Sequence, residues 1–361
     1  MNRLPRDIIL PSSAMTISSS RLKHYKPIDM PPRVGDLAYG IVTRIGQHFQ
    51  LENKQGRIHN IQHGSKAVFV FGNRYAPDFY EGLMPKKPVH EVDLLARSGL
   101  VGIVISKSSL VIDPTRVELL GYVCDHSGAV INTLDLSLIH PKTTVKRFPR
   151  AKMILVCGTS MNSGKSKAAT ACVWALASIG FRVRGSKITG TASLKDILMM
   201  NDAGARPIAD FTYLGFPSTY LADEADLLKI FNTLDLKYAN NPKNFWIVEI
   251  ADGLNQRETA FLLKAREIRE RIHKFVFCAR DALGAIGGLA VLRDEFGLVP
   301  DAISGTCSSS PLHVKEIQQH TQIPVFDSLN INRDELKSIL TARSRQSSSV
   351  PLSRLPSHQH S

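Results

Sequence analysis

The sequence has few cysteines and no long apolar run. Its five cysteines are scattered and form no CxxC pair, so neither a disulfide framework nor a zinc site is expected. No stretch approaches the ~18–20 consecutive apolar residues of a membrane-spanning helix. The apolar run that precedes Pro11 is too short for a secretory signal. We therefore expect a cytoplasmic protein with no membrane partner.

Acidic residues are also in short supply. The chain has 45 Lys and Arg against 32 Asp and Glu, a formal net charge of +13, and residues 1–150 hold 20 of these basic residues against 12 acidic ones. Excess positive charge attracts polyanions such as nucleic acid or a phosphorylated partner. A need for solubility alone would also explain this charge. The apolar fraction of 43% excludes a wholly disordered or collagen-like chain.

The composition and the hydrophobic pattern of the sequence change along the chain. Its 361 residues are enough for two domains. Composition and periodicity predict five segments: a flexible arm (1–30), a β-rich domain (31–140), a linker (141–150), an α/β domain (151–341) and a disordered Ser/Pro/His-rich tail (342–361). We therefore predict an α/β fold, in which a parallel-sheet domain follows a smaller β-rich domain.

The β-rich segment opens with a run that resembles a known type of hairpin. Gly35-Asp36, followed by the run from Gly40 to Gly46, resembles the first hairpin of an S1-like or OB barrel. Such barrels often bind single-stranded nucleic acid on aromatic and basic surfaces. A β-domain used only for packing or assembly is the alternative interpretation, and both stay open.

After Pro149 the pattern alternates between strand and helix, which is typical of a parallel sheet covered by helices. We predict strands at 153–157, 181–184, 245–250, 274–278, 302–304 and 322–326. We predict helices at 165–179, 259–271 and 284–296.

A glycine-containing loop joins the first of these strands to the first helix. Its residues are Gly158, Thr159, Ser160, Met161, Asn162, Ser163, Gly164, Lys165 and Ser166, with Lys167 on the helix. In this context backbone N–H groups and the helix N-terminus bind phosphate, Lys165 reaches the outer phosphates and the Ser166 hydroxyl ligates Mg²⁺. The loop is one residue longer than the common G-x₄-G-K-[ST] pattern. We predict a P-loop that binds a nucleotide.

The lengthened loop resembles that of dethiobiotin synthetase, a P-loop enzyme. Gly185-Ser-Lys187, Asn201-Asp202 and the run from Val248 to Gly253 are similar to its later motifs and occur in the same order. The resemblance implies ATP and Mg²⁺ as cofactors, a homodimer, a catalytic Lys187 beside Lys165, and Ser166, Glu249 and Asp202 as metal ligands. Asp202 could instead only cap a helix. Asp252 could be a further metal ligand or orient water.

Two departures from that family leave the substrate and the nucleotide base open. The turn after the glutamate reads Ala251-Asp252-Gly253-Leu254, and Thr306-Cys307-Ser308 replaces the expected adenine-contacting asparagine. The leading hypothesis is ATP-dependent phosphoryl transfer or carboxylate activation on a small acidic substrate. The first alternative is a nucleotide switch whose basic β-domain binds nucleic acid or a protein. The second is a CoA-binding protein, because Thr189-Gly190 and residues 204–213 resemble the D-glutamate N-acetyltransferase-like P-loop family.

Overall fold

The computed structural model describes residues 1–5 and 7–342, so the tail expected from 342 onward lies almost wholly outside the described residues. The first part of the chain is β-rich, and 3₁₀ turns at 12–14, 19–21 and 133–135 accompany its strands. The strands are β1 (Asn2–Arg3), β2 (His24–Lys26), β3 (Leu37–Arg44), β4 (Gln50–Glu52), β5 (Ile58–Asn60), β6 (Lys66–Phe71), β7 (Arg74–Tyr75), β8 (Tyr80–Leu83), β9 (Glu91–Ala96), β10 (Leu100–Lys107) and β11 (Thr115–Cys124).

Five of these strands pair in a closed ring, which we call the barrel. The order is β3-β6-β10-β9-β11 and back to β3, with β6 and β10 parallel and the other pairs antiparallel. Alternate side chains fill its interior, among them Phe69, Phe71, Leu94 and Val117. Each of these five strands is therefore paired on both sides, while β1, β2, β7 and β8 extend the same nine-stranded sheet beyond the ring.

The first 30 residues are not the free arm that their composition predicts. Leu10, Ala14 and Ile17 are buried against the outer faces of β3 and β6. Those faces carry apolar side chains such as Leu37 and Val68, because the strands are apolar on both sides and need cover on both. The described part of residues 1–30 is therefore held in place because the apolar outer side chains of β3 and β6 pack against it.

The second part of the chain, residues 151–342, is called the P-loop half here. Its strands are β12 (Lys152–Gly158), β13 (Val183–Lys187), β14 (Ile208–Asp210), β15 (Phe245–Glu249), β16 (Ile272–Cys278) and β17 (Ala302–Ser304). Its helices are α1 (Lys165–Ala177), α2 (Leu194–Asp202), α3 (Glu224–Tyr238), α4 (Arg257–Lys264), α5 (Arg266–Arg269), α6 (Ala282–Phe296), α7 (Pro311–His320) and α8 (Arg333–Thr341). Two further 3₁₀ turns lie at 211–214 and 306–309.

The six strands of this half form one parallel sheet in the order β14-β13-β15-β12-β16-β17. Two large apolar clusters lie on its two faces, one around Phe231 and Trp246 and the other around Ala169, Cys172 and Leu176 of α1. The chain is thus α/β, with a parallel sheet and an additional β-rich part, and this prediction of the fold class is confirmed.

Three element predictions differ from the structure. The strand expected at 181–184 begins two residues later, as β13 (Val183–Lys187). The helix expected over 259–271 is divided into α4 and α5, because Ala265 has extended backbone angles (φ −63°, ψ 119°). The strand expected at 322–326 is reduced to a single bridge between Ile303 and Val325. Pro324 has no N–H to donate, which shortens the ladder there.

None of the helices in the described residues has both the length and the apolar character that a bilayer span requires.

Candidate functional site

The P-loop lies at the carboxyl edge of the central strand. β12 ends at Gly158 and α1 begins at Lys165, with Gly164 at the N-cap in a left-handed conformation (φ 96°). A Cβ on Gly164 would lie 2.7 Å from the Cα of Gly305, so only glycine fits. In the described structure no side chain caps α1. The first turn of the helix therefore presents its N–H groups and its partial positive charge toward the loop.

Lys165 reaches back across this loop. Its Nζ donates to the Ser160 carbonyl at 2.7 Å and to the Asp252 carbonyl at 2.6 Å, and the residue is buried. Both acceptors are neutral carbonyl oxygens. A negatively charged phosphate oxygen accepts more strongly from an ammonium group and can therefore replace them at Lys165 Nζ.

Ser166 and Glu249 meet beside the lysine. The Ser166 hydroxyl donates to Glu249 Oε1 at 3.0 Å, and Glu249 ends β15, the strand next to β12. Glu249 is 1% exposed, and its Oε2 is buried without a hydrogen-bond partner. Burial raises the pKa of Glu249, although the Lys187 ammonium opposes that shift. A buried carboxylate oxygen without a partner is costly unless a cation or donor approaches it.

Lys187 ends the neighbouring strand β13 and is held by two carboxylates. Its Nζ contacts Asp196 Oδ2 and lies 3.8 Å from Glu249 Oε1. Burial alone would lower the pKa of Lys187, but Asp196 and Glu249 outweigh it and raise that pKa. Burial would likewise raise the pKa of Asp196, but Lys187 outweighs it and holds that pKa below its usual range. The two strand ends and the first turn of α2 thus form one charged cluster.

Asp202, which the sequence predicts as a metal ligand, lies elsewhere. It is the last residue of α2 and is exposed, so it is not at the helix start that the motif resemblance implies. Asp196, in the first turn of the same helix, occupies the cleft instead. The reason is topological, because helices that follow parallel strands begin at the carboxyl edge of the sheet and their last turns lie away from it. Asp196 is in the first turn of α2, whereas Asp202 is its last residue.

The donor set fits Mg²⁺ held together with phosphate. Among the described residues no group of three or more His, Cys, Asp or Glu side chains is placed to hold a metal by itself. Mg²⁺ in nucleotide sites usually takes one or two protein oxygens and completes its shell with phosphates and water. The Ser166 hydroxyl and the orphaned Glu249 Oε2 match that requirement.

The cleft over the P-loop is shared by both parts of the chain. Its volume is about 670 Å³. Lining residues from the P-loop half include Met161, Asn162, Gly164, Lys165, Ser166, Lys167, Lys187, Asp196, Glu249 and Asp252. Gly158, Thr159, Ser160 and Ser163 complete the loop beneath them. The β-rich first part of the chain, which we call the barrel part, contributes residues that no sequence motif indicates, namely His48, Phe49, Arg74, Tyr75, Phe79 and Arg97.

These observations together define the fold. The P-loop half has the P-loop NTPase fold. Its strand-loop-helix phosphate site, the Ser-Glu pair and the parallel sheet carry that assignment.

No protein-family model and no curated protein matches this chain. Among solved structures it is similar to the signal recognition particle receptor FtsY from Elizabethkingia anophelis in complex with GDP, at 12% identity and a TM-score of 0.37, over 58% of this chain and 69% of that one. FtsY from Mycoplasma mycoides has 13% identity and a TM-score of 0.32, over 54% of this chain and 68% of that one. The Thermotoga maritima cell division protein ftsY has 14% identity and a TM-score of 0.31, over 58% and 75%.

Proposed function

We propose that this chain is a magnesium-dependent nucleoside triphosphatase, with ATP as the nucleotide that the motif resemblance implies. The observation that carries the proposal is the convergence of three groups in one cleft. Lys165 lies on the phosphate loop, and the Ser166 hydroxyl is 3.0 Å from the Glu249 carboxylate, whose second oxygen has no partner. A triphosphate and its cation need these three groups side by side.

Each group has a physical role in that proposal. The N–H groups of the loop and the start of α1 bind the phosphates, and Lys165 exchanges its two carbonyl acceptors for phosphate oxygens. Ser166 and Glu249 would hold Mg²⁺, which when bound neutralises charge on the phosphates. Lys187 adds a second buried cation, which Asp196 orients. Positioning and charge neutralisation are the main protein contributions to phosphoryl chemistry.

The contacts between the two parts of the chain favour a nucleotide switch. Asn162, at the tip of the phosphate loop, donates to Asp78 Oδ2 of the barrel part at 2.6 Å. The backbone N–H of Leu194, at the start of α2, donates to Glu52 of β4 at 2.9 Å. A nucleotide that reorganises the loop or α2 must therefore change contacts with the barrel. We propose that nucleotide occupancy controls what the barrel binds, a protein or nucleic acid.

Phosphoryl transfer to a small acidic substrate is the second candidate. The observation that favours it is the pair of barrel arginines, Arg74 and Arg97, on the wall of the same cleft. Under this function a metabolite would stimulate ADP release, whereas under the switch a macromolecular partner would. Hydrolysis measured with each class of stimulator separates the two.

The test of nucleotide binding is a thermal-unfolding panel with ATP, GTP, ADP, GDP and CoA, each with and without Mg²⁺. A ligand at 100 times its Kd stabilises the folded state by about 2.7 kcal/mol. We expect stabilisation by a triphosphate with Mg²⁺, and its loss in Lys165→Ala with the unliganded melting curve retained. Lys229→Ala on the exposed face of α3 is the matched control. Stabilisation by CoA alone, or by a nucleotide equally in Lys165→Ala, would contradict the proposal.

A further inference from the structure

Arg74 forms part of the cleft wall that faces the P-loop. The residue is 7% exposed, its guanidinium lies 5.2 Å above the ring centre of Phe79, and its Nη1 is 2.8 Å from His48 Nε2. β7, the short strand that carries Arg74, pairs with β8 at the end of the nine-stranded sheet. The stacking and the hydrogen bond fix the plane of the guanidinium, so its position in the wall is preorganised.

His48 does not neutralise this arginine. Burial, together with the Arg74 charge, lowers the pKa of His48 to about 3, so the imidazole is neutral at physiological pH. Because a guanidinium can only donate, His48 Nε2 accepts the hydrogen bond from Arg74. The histidine therefore orients a full positive charge without reducing it.

No carboxylate in the described part of the chain lies within ion-pair distance of Arg74. Asp252 acts on it only at longer range. Its Nε is buried with no hydrogen-bond partner, and the residue lines the cleft. A buried charge that lacks a partner is strongly disfavoured, and an oxyanion is the group that compensates a guanidinium best.

Arg97 supplies a second cation on the same wall. Its side chain is 34% exposed, and its nearest carboxylate oxygen, Glu52 Oε2, is 3.8 Å away. The other oxygen of Glu52 is already used by the Ser12 hydroxyl and the Leu194 N–H. Arg97 is therefore only weakly paired and can turn toward a ligand in the cleft.

We propose that Arg74 and Arg97 form a binding site for the carboxylate or phosphate group of a small-molecule ligand, across the cleft from the P-loop. This inference rests on the proposed function in one respect: it assumes that a nucleotide occupies the P-loop and that the anionic ligand binds beside it. The barrel thus supplies half of a two-ligand site, with His48 and Phe79 as the residues that position Arg74.

The experiment is saturation-transfer NMR with succinate as the carboxylate probe and methylphosphonate as the phosphate probe. Each is titrated into the full chain, once alone and once with saturating Mg²⁺ and a non-hydrolysable ATP analogue that occupies the P-loop. We expect at least one probe to bind in both conditions. Arg97→Gln should weaken that binding by about 10-fold, which is the usual loss for one charge-assisted contact. Arg74→Lys, which keeps the charge but loses the planar fork, should weaken it similarly.

Arg44→Gln, at the exposed end of β3, is the matched control and should leave probe binding unchanged. Nucleotide binding is measured on the same samples. If the probe binds and the arginine variants weaken it while no nucleotide binds, the anion site stands and the proposed triphosphatase fails. Binding of neither probe, or equal binding to wild type and to both arginine variants, would overturn the anion site. Arg97→Gln keeps the test valid should Arg74→Lys fold poorly.

Discussion

Glu52 of the barrel part and Leu194 of the P-loop half are joined by a buried hydrogen bond. The carboxylate, 2% exposed, accepts from the Leu194 N–H at 2.9 Å and from the Ser12 hydroxyl at 2.7 Å. Leu194 is the first residue of α2, and Asp196 follows in the same turn. One carboxylate therefore connects the N-terminal segment, the barrel part and the helix that holds Lys187. A negative charge at a helix N-terminus also complements the helix dipole.

Glu52→Gln should therefore weaken the connection between the two parts. Hydrogen bonds to a charged group contribute about 1.5–3 kcal/mol, and the amide can still accept weakly, so we expect a loss of about 1–2 kcal/mol in the free energy of unfolding. Hydrogen exchange in residues 194–202 should increase. The control is Glu91→Gln, whose carboxylate is half exposed and pairs with Arg116. Equal exchange in wild type and Glu52→Gln would show that the contact does not restrain α2.

Glu249→Gln should remove the response to magnesium. The amide keeps the shape of the side chain but cannot supply the anionic oxygen that the buried position presents to a cation. We expect nucleotide hydrolysis to fall about 100-fold and the apparent Mg²⁺ affinity to fall with it. Hydrolysis as a function of Mg²⁺ concentration measures both.

Substitutions at the two aspartates of α2 test whether Asp196, as the structure indicates, or Asp202, as the motif resemblance implies, acts at the site. Asp196 contacts Lys187 at the cleft, whereas Asp202 is exposed at the far end of the helix. Asp196→Asn should reduce hydrolysis by about 10-fold or more, because Lys187 loses its closest counter-charge. Asp202→Asn should have no effect on the Mg²⁺ dependence. The opposite ranking would support the sequence-based ligand assignment instead.

Gly164→Ala should disrupt the phosphate loop, and Gly180→Ala provides the comparison. Both glycines are left-handed, at φ 96° and φ 91°, but a Cβ at 164 meets Gly305 at 2.7 Å while one at 180 meets nothing within 4 Å. Gly180→Ala should lose only the conformational term of about 1–2 kcal/mol. Gly164→Ala should lose more, and should also lose nucleotide binding. Chemical unfolding and nucleotide titration of both variants check this difference.

Asp210 should make the fold less stable as pH rises. Burial raises its pKa to about 6 from an ordinary value of 3.8, against the opposing hydrogen bonds from Thr212. A raised carboxyl pKa gives stability that is fully present below pH 4 and is lost as pH rises through about 6. Two pKa units correspond to roughly 3 kcal/mol. Asp210→Asn should remove this part of the pH dependence.

Urea unfolding of wild type and Asp210→Asn at pH 4.5 and 7.5 measures that contribution. The difference between the two proteins, rather than either curve alone, isolates Asp210, because other carboxyl groups titrate in the same range. The variant should gain stability relative to wild type at the higher pH. Parallel changes in both proteins would assign the pH dependence to other groups.

The sequence by itself predicted the strand-loop-helix arrangement around residues 158–166 and the class of fold. Both depend on local signals: an apolar run ending at Gly158, glycines in the loop, and a helical period from Lys165. Glu249 and Lys187 could also be named, because each ends a strand of a parallel sheet and such ends meet at one edge.

Only the tertiary structure decided which side chains share the cleft. Asp196 and Asp202 lie on one helix, and only the direction of α2 relative to the sheet distinguishes them. Arg74 lines the cleft and Glu52 binds the first turn of α2, although both are far in sequence from the P-loop half, because the β-rich part of the chain packs beside the sheet. The N-terminal segment looks unstructured by composition, but it is fixed because the outer faces of β3 and β6 are apolar. Local patterns encode the elements, whereas their contacts depend on packing between segments distant in the chain.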